Sequence, residues 1–259
     1  MQNDLLESLD WEGRAVRCED CPHPNGRCEL MRACVRDRYA RRIDRFFQWN
    51  PHLANQYLKH PYFEVRACAA RYADVFQLPP LLDDPDETVR WSAAQRLPRR
   101  YLLRLIRDPH REVRIRVASR LTDGDLAAMM SDPDYYVRLV VARRLPQGLL
   151  PLMMGDADPE VRRTVTRRIG TEWLGRMLLD EDAGVRLEVA RRLPPHALSR
   201  LLDDPDWRVR YEVACRGSKD DLRSLAGDPD DEVRRLAQSR LATKLGGQNI
   251  DPQEKDSWE

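Results

Sequence analysis

A Val-Arg dipeptide stands at positions 65, 89, 113, 137, 161, 185, 209 and 233, so one pattern recurs every 24 residues through eight copies without insertion or deletion. Other columns keep the same register. Counting from each valine, position −5 is Asp in seven copies (84, 108, 132, 156, 180, 204 and 228) and His60 in the first, and Pro often follows. Position +7 is Arg in seven copies, from Arg96 to Arg240, and positions +4 and +8 are apolar, as in Val141 and Leu145. A fixed period in this range is the mark of stacked repeats, because one copy alone leaves an apolar face that only its neighbours can cover.

The valine, +4 and +8 positions drift by only about 40° per step on a helix of 3.6 residues per turn, so each copy holds one amphipathic helix. Asp158-Pro159-Glu160 places an N-capping Asp before a first-turn Pro, and Asp86, Asp134, Asp182, Asp206 and Asp230 occupy the same column. Pro98, Pro146 and Pro194, or Gly170, mark the end, which leaves about eleven helical residues. The remainder of a copy carries Leu and Met at short spacings, as in Leu102, Leu105 and Ile106. It has room for one or two turns, 3₁₀ in character, and not for a second full helix. The L-x-L alternation and Asn or Cys column of strand-containing leucine-rich repeats are missing. The fold class expected is therefore all-α, a solenoid of 24-residue units each pairing a long helix with a short one.

Charge is abundant and balanced: 44 basic and 43 acidic side chains leave a net charge of +1. That excludes a chain that is basic or acidic throughout. Arginine dominates, with lysine only at Lys59, Lys219, Lys244 and Lys255. The +1 arginines lie toward the buried side of the helix, so they need partners; the −5 aspartates, from the same copy or the next, would give an Arg-Asp ladder. The +7 arginines sit at the edge of the apolar stripe. They are expected to cover apolar surface with solvated heads, the alternative being a stripe for an acidic partner or a nucleic-acid backbone.

Four of the six cysteines, Cys18, Cys21, Cys28 and Cys34, form a C-x2-C-x6-C-x5-C run with Pro22, Pro24 and Gly26 between them. Acidic residues stand where a secretory leader would be basic, and no apolar run is long enough to span a bilayer. A cytoplasmic protein without membrane association is expected, and clustered cysteines in that compartment are metal ligands or redox-active thiols more often than disulfides. The spacing matches neither the usual zinc pairs nor the bacterial ferredoxin run, so it leaves a four-iron cluster and structural zinc both open. His23 lies in the same loop as an alternative ligand. Residues Glu29 to Phe47 show a helical pattern that must begin after Cys28 if the sulfurs are to converge, and Cys68 and Cys215 are expected on the solvent side.

The short period, the leucine columns and the cysteine group ahead of them together resemble the leucine-rich repeat variant family. The resemblance covers nearly the whole chain except its tail. It implies a right-handed stack of alternating α- and 3₁₀-helices behind a small iron-sulfur domain, with Cys18, Cys21, Cys28 and Cys34 as ligands of a [4Fe-4S] cluster. The corresponding division is a cysteine-rich domain over 1–50, eight repeats over 51–243 and a polar tail over 244–259.

Five histidines (23, 52, 60, 110 and 196) form no Ser-His-Asp or Cys-His arrangement, and there is neither a P-loop nor a GxGxxG motif. No catalytic residue is assigned. The expected function is a non-enzymatic iron-sulfur scaffold that binds a protein partner on its repeat surface, with an electron-transfer or redox-sensing role for the cluster. A nucleic-acid-binding repeat protein using the arginine columns, and a zinc-stabilised scaffold, are the alternatives.

Overall fold

The computed structural model of the chain describes residues 8–19, 21–23 and 26–245. It divides into two compact units, Met1–Val140 and Val141–Glu259. The first contains the cysteine segment, the helix Ala40–Trp49, a 3₁₀ stretch Pro51–Tyr57, and the repeat helices Phe63–Ala70, Glu87–Arg96 and Arg111–Arg120. Helix Tyr135–Arg144 spans the boundary, and the second unit continues with Pro159–Arg168, Ala183–Arg192, Trp207–Arg216 and Asp231–Leu245. Between them run the short elements, such as Pro79–Asp83 and Pro195–Leu201 in 3₁₀ form, and Arg99–Leu102 passing into Leu103–Leu105. Among the described residues there is no strand, only two isolated bridges, and the fold is all-α. No helix among them is long and apolar enough to cross a membrane. The last helix runs to Leu245, and the rest of the tail expected over 244–259 lies outside the described residues.

The helix starts are where the capping column puts them. Asp86 accepts from the Thr88 amide at 2.8 Å, Asp158 from Glu160 at 2.9 Å and Asp182 from Val185 at 2.9 Å. Each satisfies an amide that has no carbonyl within its own helix. Inside the units the repeat valines Val65, Val89, Val161, Val185 and Val209 are completely buried, and the short elements add Leu126, Leu150, Leu174 and Leu198 to the same core.

The +1 arginines find their partners in the following copy. In the first unit Arg90 donates from Nε and Nη2 to the two carboxylate oxygens of Asp108, at 2.7 and 2.8 Å, and Arg114 does the same to Asp132 at 2.8 and 3.1 Å. In the second, Arg186 grips Asp204 and Arg210 grips Asp228 with the same fork. The remaining nitrogen, Nη1 of Arg90, reaches back 2.9 Å to the Asp84 carbonyl of its own copy. Each Asp also accepts the amide two residues on, as Asp108 does from His110 at 2.8 Å. Arg90 is 8% exposed and Asp108 5%, so both charges are desolvated, and the bidentate geometry with filled remaining lone pairs offsets that cost.

The ends of this ladder depart from its rule for a simple reason. No +1 arginine precedes the first copy, and there His60 replaces Asp: its Nδ1 accepts the Tyr62 amide at 3.1 Å, the local duty of the carboxylate without its charge. No copy follows the last, and Arg234 turns to Asp231 of its own helix.

The +7 arginines are not solvated as expected. Arg168 donates to the Ala142 carbonyl at 2.5 Å, Arg216 to Ala190 and Leu193 at 2.6 and 2.7 Å, and Arg240 to Ala214 at 2.5 Å. Arg96, Arg120 and Arg192 reach Ala70, Ala94 and Thr166 in the same way. These carbonyls belong to the last turn of the preceding repeat helix, where no amide follows to pair with them and the helix dipole is negative. Both arginine columns therefore direct donors into the stack.

Two further expectations are corrected. Only Ala40–Trp49 of the segment Glu29 to Phe47 is helical; Glu29 and Ala33 close a tight turn with Met31 at φ 66°. Cys68 is buried, because helix Ala40–Trp49 covers the outer side of the first repeat and its Sγ donates to the Ala40 carbonyl at 3.5 Å. Burial, with Asp44 and Glu64 nearby, pushes this thiol up to about 12. Cys215 is exposed, as its column suggested.

Candidate metal centre

The cysteine segment has little regular structure, so side chains hold it in place. Asp10 accepts the amides of Glu12 and Arg14, both at 2.9 Å, around a turn in which Gly13 adopts φ 81°. Asp37, fully buried, accepts from Ser8 Oγ at 2.5 Å, the Tyr39 amide at 2.9 Å and Arg42 Nη1 at 2.9 Å, tying the start of the segment to the helix that follows it. The Cys34 amide donates to the Arg42 carbonyl at 3.2 Å. Asn50, just past that helix, clamps Arg27 from both sides: its Oδ1 accepts the Arg27 amide at 3.0 Å and its Nδ2 donates to the Arg27 carbonyl at 2.7 Å. Cys28 is thereby positioned from a residue 22 places away in the chain.

Within this frame the four cysteines come together. A turn closed by the Cys21 amide on the Cys18 carbonyl, 3.1 Å, pairs the first two. Cys18, Cys21, Cys28 and Cys34 all line one pocket of about 200 Å³, with Val16, Leu30 and Ala33 as apolar wall and Arg17 and Arg36 as cations. Cys34 is buried, Cys21 half-buried, and Cys18 and Cys28 are exposed. Burial pushes the Cys28 thiol up, and the nearby Cys21 and Cys18 add to it. Burial also raises Cys34, against hydrogen bonds from the Arg36 and Asp37 amides that favour its thiolate. Such amide-to-sulfur bonds tune thiolate ligands of a metal centre. The sulfurs line the pocket wall without being gathered to a point: among the described residues no three His, Cys, Asp or Glu side chains surround a single-ion position.

His23 also borders the pocket, but its Nε2 is 2.5 Å from Tyr57 Oη and its ring is held below its ordinary pKa by burial and by His52. Tyr57 is pushed up to about 12 by burial and then by Cys21 and Cys34. The described geometry thus brings together all four expected thiols and gives His23 a different partner. Asp37, Asn50 and Tyr57 carried no sequence signal for a role here, since their reach across the chain is not a matter of spacing.

Comparison with known proteins bears on both parts of the chain. The family described as "LRV protein FeS4 cluster" matches residues 8–56, and that described as "Leucine rich repeat variant" matches residues 183–206. A solved structure described as a leucine-rich repeat variant with a novel repetitive structural motif is 45% identical, covers 87% of this chain and 99% of its own, and superposes with a TM-score of 0.82. The chain belongs to the leucine-rich repeat variant family. An uncharacterized 27.7 kDa protein in the nifB 3' region of Rhodobacter capsulatus is 52% identical over 96 residues; this match spans 36% of the chain and 39% of that protein's length. Within the family frame, the iron-sulfur match contains all four cysteines and also Asp37 and Asn50, the two side chains that hold the segment. Four thiols on one apolar-walled pocket, with amide donors at Cys34, are a donor set that fits a thiolate-held iron-sulfur group.

Proposed function

We propose that this chain is a non-enzymatic carrier of a [4Fe-4S] cluster held by Cys18, Cys21, Cys28 and Cys34, mounted on a helical-repeat scaffold whose surface binds a protein partner. The observation that carries the reading is the single pocket lined by all four thiols, inside the segment that matches the iron-sulfur family. When bound, such a cluster supplies one-electron redox chemistry. The chain's own contribution is the rest: Asp37 and Asn50 hold the ligand loops, the Arg36 and Asp37 amides stabilise charge on Cys34, and Val16, Leu30 and Ala33 keep water from part of the pocket. With all four ligand positions taken by cysteine, no iron site is left open for substrate, which supports a non-catalytic role.

The test is anaerobic purification with metal and sulfide analysis and visible and electron paramagnetic resonance spectra. About four iron and four sulfide per chain, lost in Cys21→Ala or Cys34→Ala, are expected. A colourless protein carrying one zinc would overturn the redox reading and leave a zinc-stabilised scaffold.

A further inference from the structure

A second cavity borders the cysteine segment and has no part in the function proposed above. It is open to solvent, has a volume of about 520 Å³, and shares only the His23 ring with the cysteine pocket. Its charged lining is of one kind: Arg27 and His52 face it, and among the described residues no carboxylate or thiol does. Glu29, the carboxylate nearest to Arg27 along the chain, lines the cysteine pocket instead and is held by Arg32 at 3.0 Å. That same Arg32 lies 5.6 Å from the centre of the Trp49 ring, so with Glu29 it brings no net charge to the cavity. Among the described residues neither the Arg27 guanidinium nor the His52 ring has a hydrogen-bond or ion-pair partner.

The fold fixes where these two groups start. Asn50, 2% exposed, grips the Arg27 main chain on both sides, its Oδ1 accepting the amide and its Nδ2 donating to the carbonyl. His52 belongs to the 3₁₀ stretch Pro51–Tyr57 that follows Asn50 directly. One buried side chain therefore joins the two backbone segments that present the cation and the imidazole. The rest of the wall is apolar, with Leu53 buried and Trp49 half-buried.

We propose that this cavity binds a small organic anion, a carboxylate or a phosphate ester, with its oxygens on Arg27 and His52 and its apolar body against Trp49 and Leu53. The inference does not depend on the cluster reading. A guanidinium presents a planar fork of donors that matches either oxyanion, and an imidazole N–H adds a further donor. A metal cation is the poorer occupant, because no anionic ligand lines the cavity and His23 Nε2 is already engaged with Tyr57 Oη at 2.5 Å. The space is several times what an inorganic oxyanion fills and lies within the range of small-molecule sites, roughly 300–1,000 Å³, so the anion carries an organic body.

The experiment uses the full-length protein and calorimetric titration with four probes: benzoate, phenyl phosphate, benzamide, which has the body without the charge, and inorganic phosphate, which has the charge without the body. Benzoate or phenyl phosphate should bind one to one and about tenfold or more tighter than benzamide and inorganic phosphate, and the tighter of the two tells a carboxylate ligand from a phosphate ester. Arg27→Gln and His52→Gln should each weaken that binding about tenfold or more, while Arg17→Gln, an exposed arginine on the cysteine pocket, should leave it unchanged. Circular dichroism shows whether each variant keeps the fold, and the comparison of the four probes on the unaltered protein decides the proposal if one does not. No binding of either aromatic anion, affinities equal to that of benzamide or of inorganic phosphate, or anion binding that survives both Arg27→Gln and His52→Gln would overturn it.

Discussion

Arg90 directs its donors to two copies at once, two nitrogens to Asp108 ahead and the third to the Asp84 and Pro85 carbonyls behind. Its charge is satisfied only while both are present. Asp108→Ala leaves a buried guanidinium without its counter-charge and should cost about 3–5 kcal/mol, read as a lowered urea midpoint, whereas replacing both partners by apolar residues of like volume should cost much less. One ladder carboxylate and one helix cap bear on the acid limit. Hydrogen bonding to Arg210 holds Asp228 below its ordinary 3.8, and hydrogen bonding to Arg208 holds Asp206 at about 2. A carboxylate lowered in the folded state contributes stability above its unfolded pKa and loses it as pH falls through the folded one. Melting temperature measured against pH should therefore show the loss from these groups between about pH 4 and pH 2; an equal loss already complete at pH 5 would contradict it. The pairing was legible because donor and acceptor columns share one period. Which copy supplies the acceptor was not, since the same spacing fits either.

At the level of the helix, starts were more legible than ends. An N-cap needs a particular side chain, so Asp86, Asp158 and Asp182 announce themselves. Asp158→Ala should cost about 1 kcal/mol in chemical denaturation. The C-terminal caps come from arginines one copy later and go to backbone carbonyls, which every residue has, so nothing in the sequence marks the acceptor. Arg216→Ala removes donors from Ala190 and Leu193. Faster hydrogen exchange near the end of helix Ala183–Arg192 is the expected readout, at a cost of about 1.5–3 kcal/mol, while the cap at Asp182 should be unaffected. The cysteine segment shows the opposite limit. Its grouped cysteines could be read from spacing, but the turn at Met31 and the clamps from Asp37 and Asn50 follow from tertiary contacts, and the helical pattern of Glu29 to Phe47 was misleading for its first half.

For the whole chain, stability in a repeat stack is close to a sum of copies and joints between neighbours. Stripping iron with a chelator is accordingly expected to raise hydrogen exchange in residues 8–39 and leave helix Trp207–Arg216 protected; simultaneous loss of protection in both would show that the cluster holds more than its own segment. The division at Val140 and Val141 left no trace in the sequence, because the repeat columns run through it unchanged.

Within each unit the ladder has a direction: Arg66, Arg90 and Arg114 in the first, and Arg162, Arg186 and Arg210 in the second, each reach forward to the aspartate of the next copy, while at the two ends His60 stands without the charge and Arg234 turns to its own helix. A tandem duplication of 24 residues in frame with this pattern arrives with both halves of its joints already made. A duplication of any other length would strand a buried guanidinium and a carboxylate together. Lineages of such chains should therefore lengthen and shorten in whole copies.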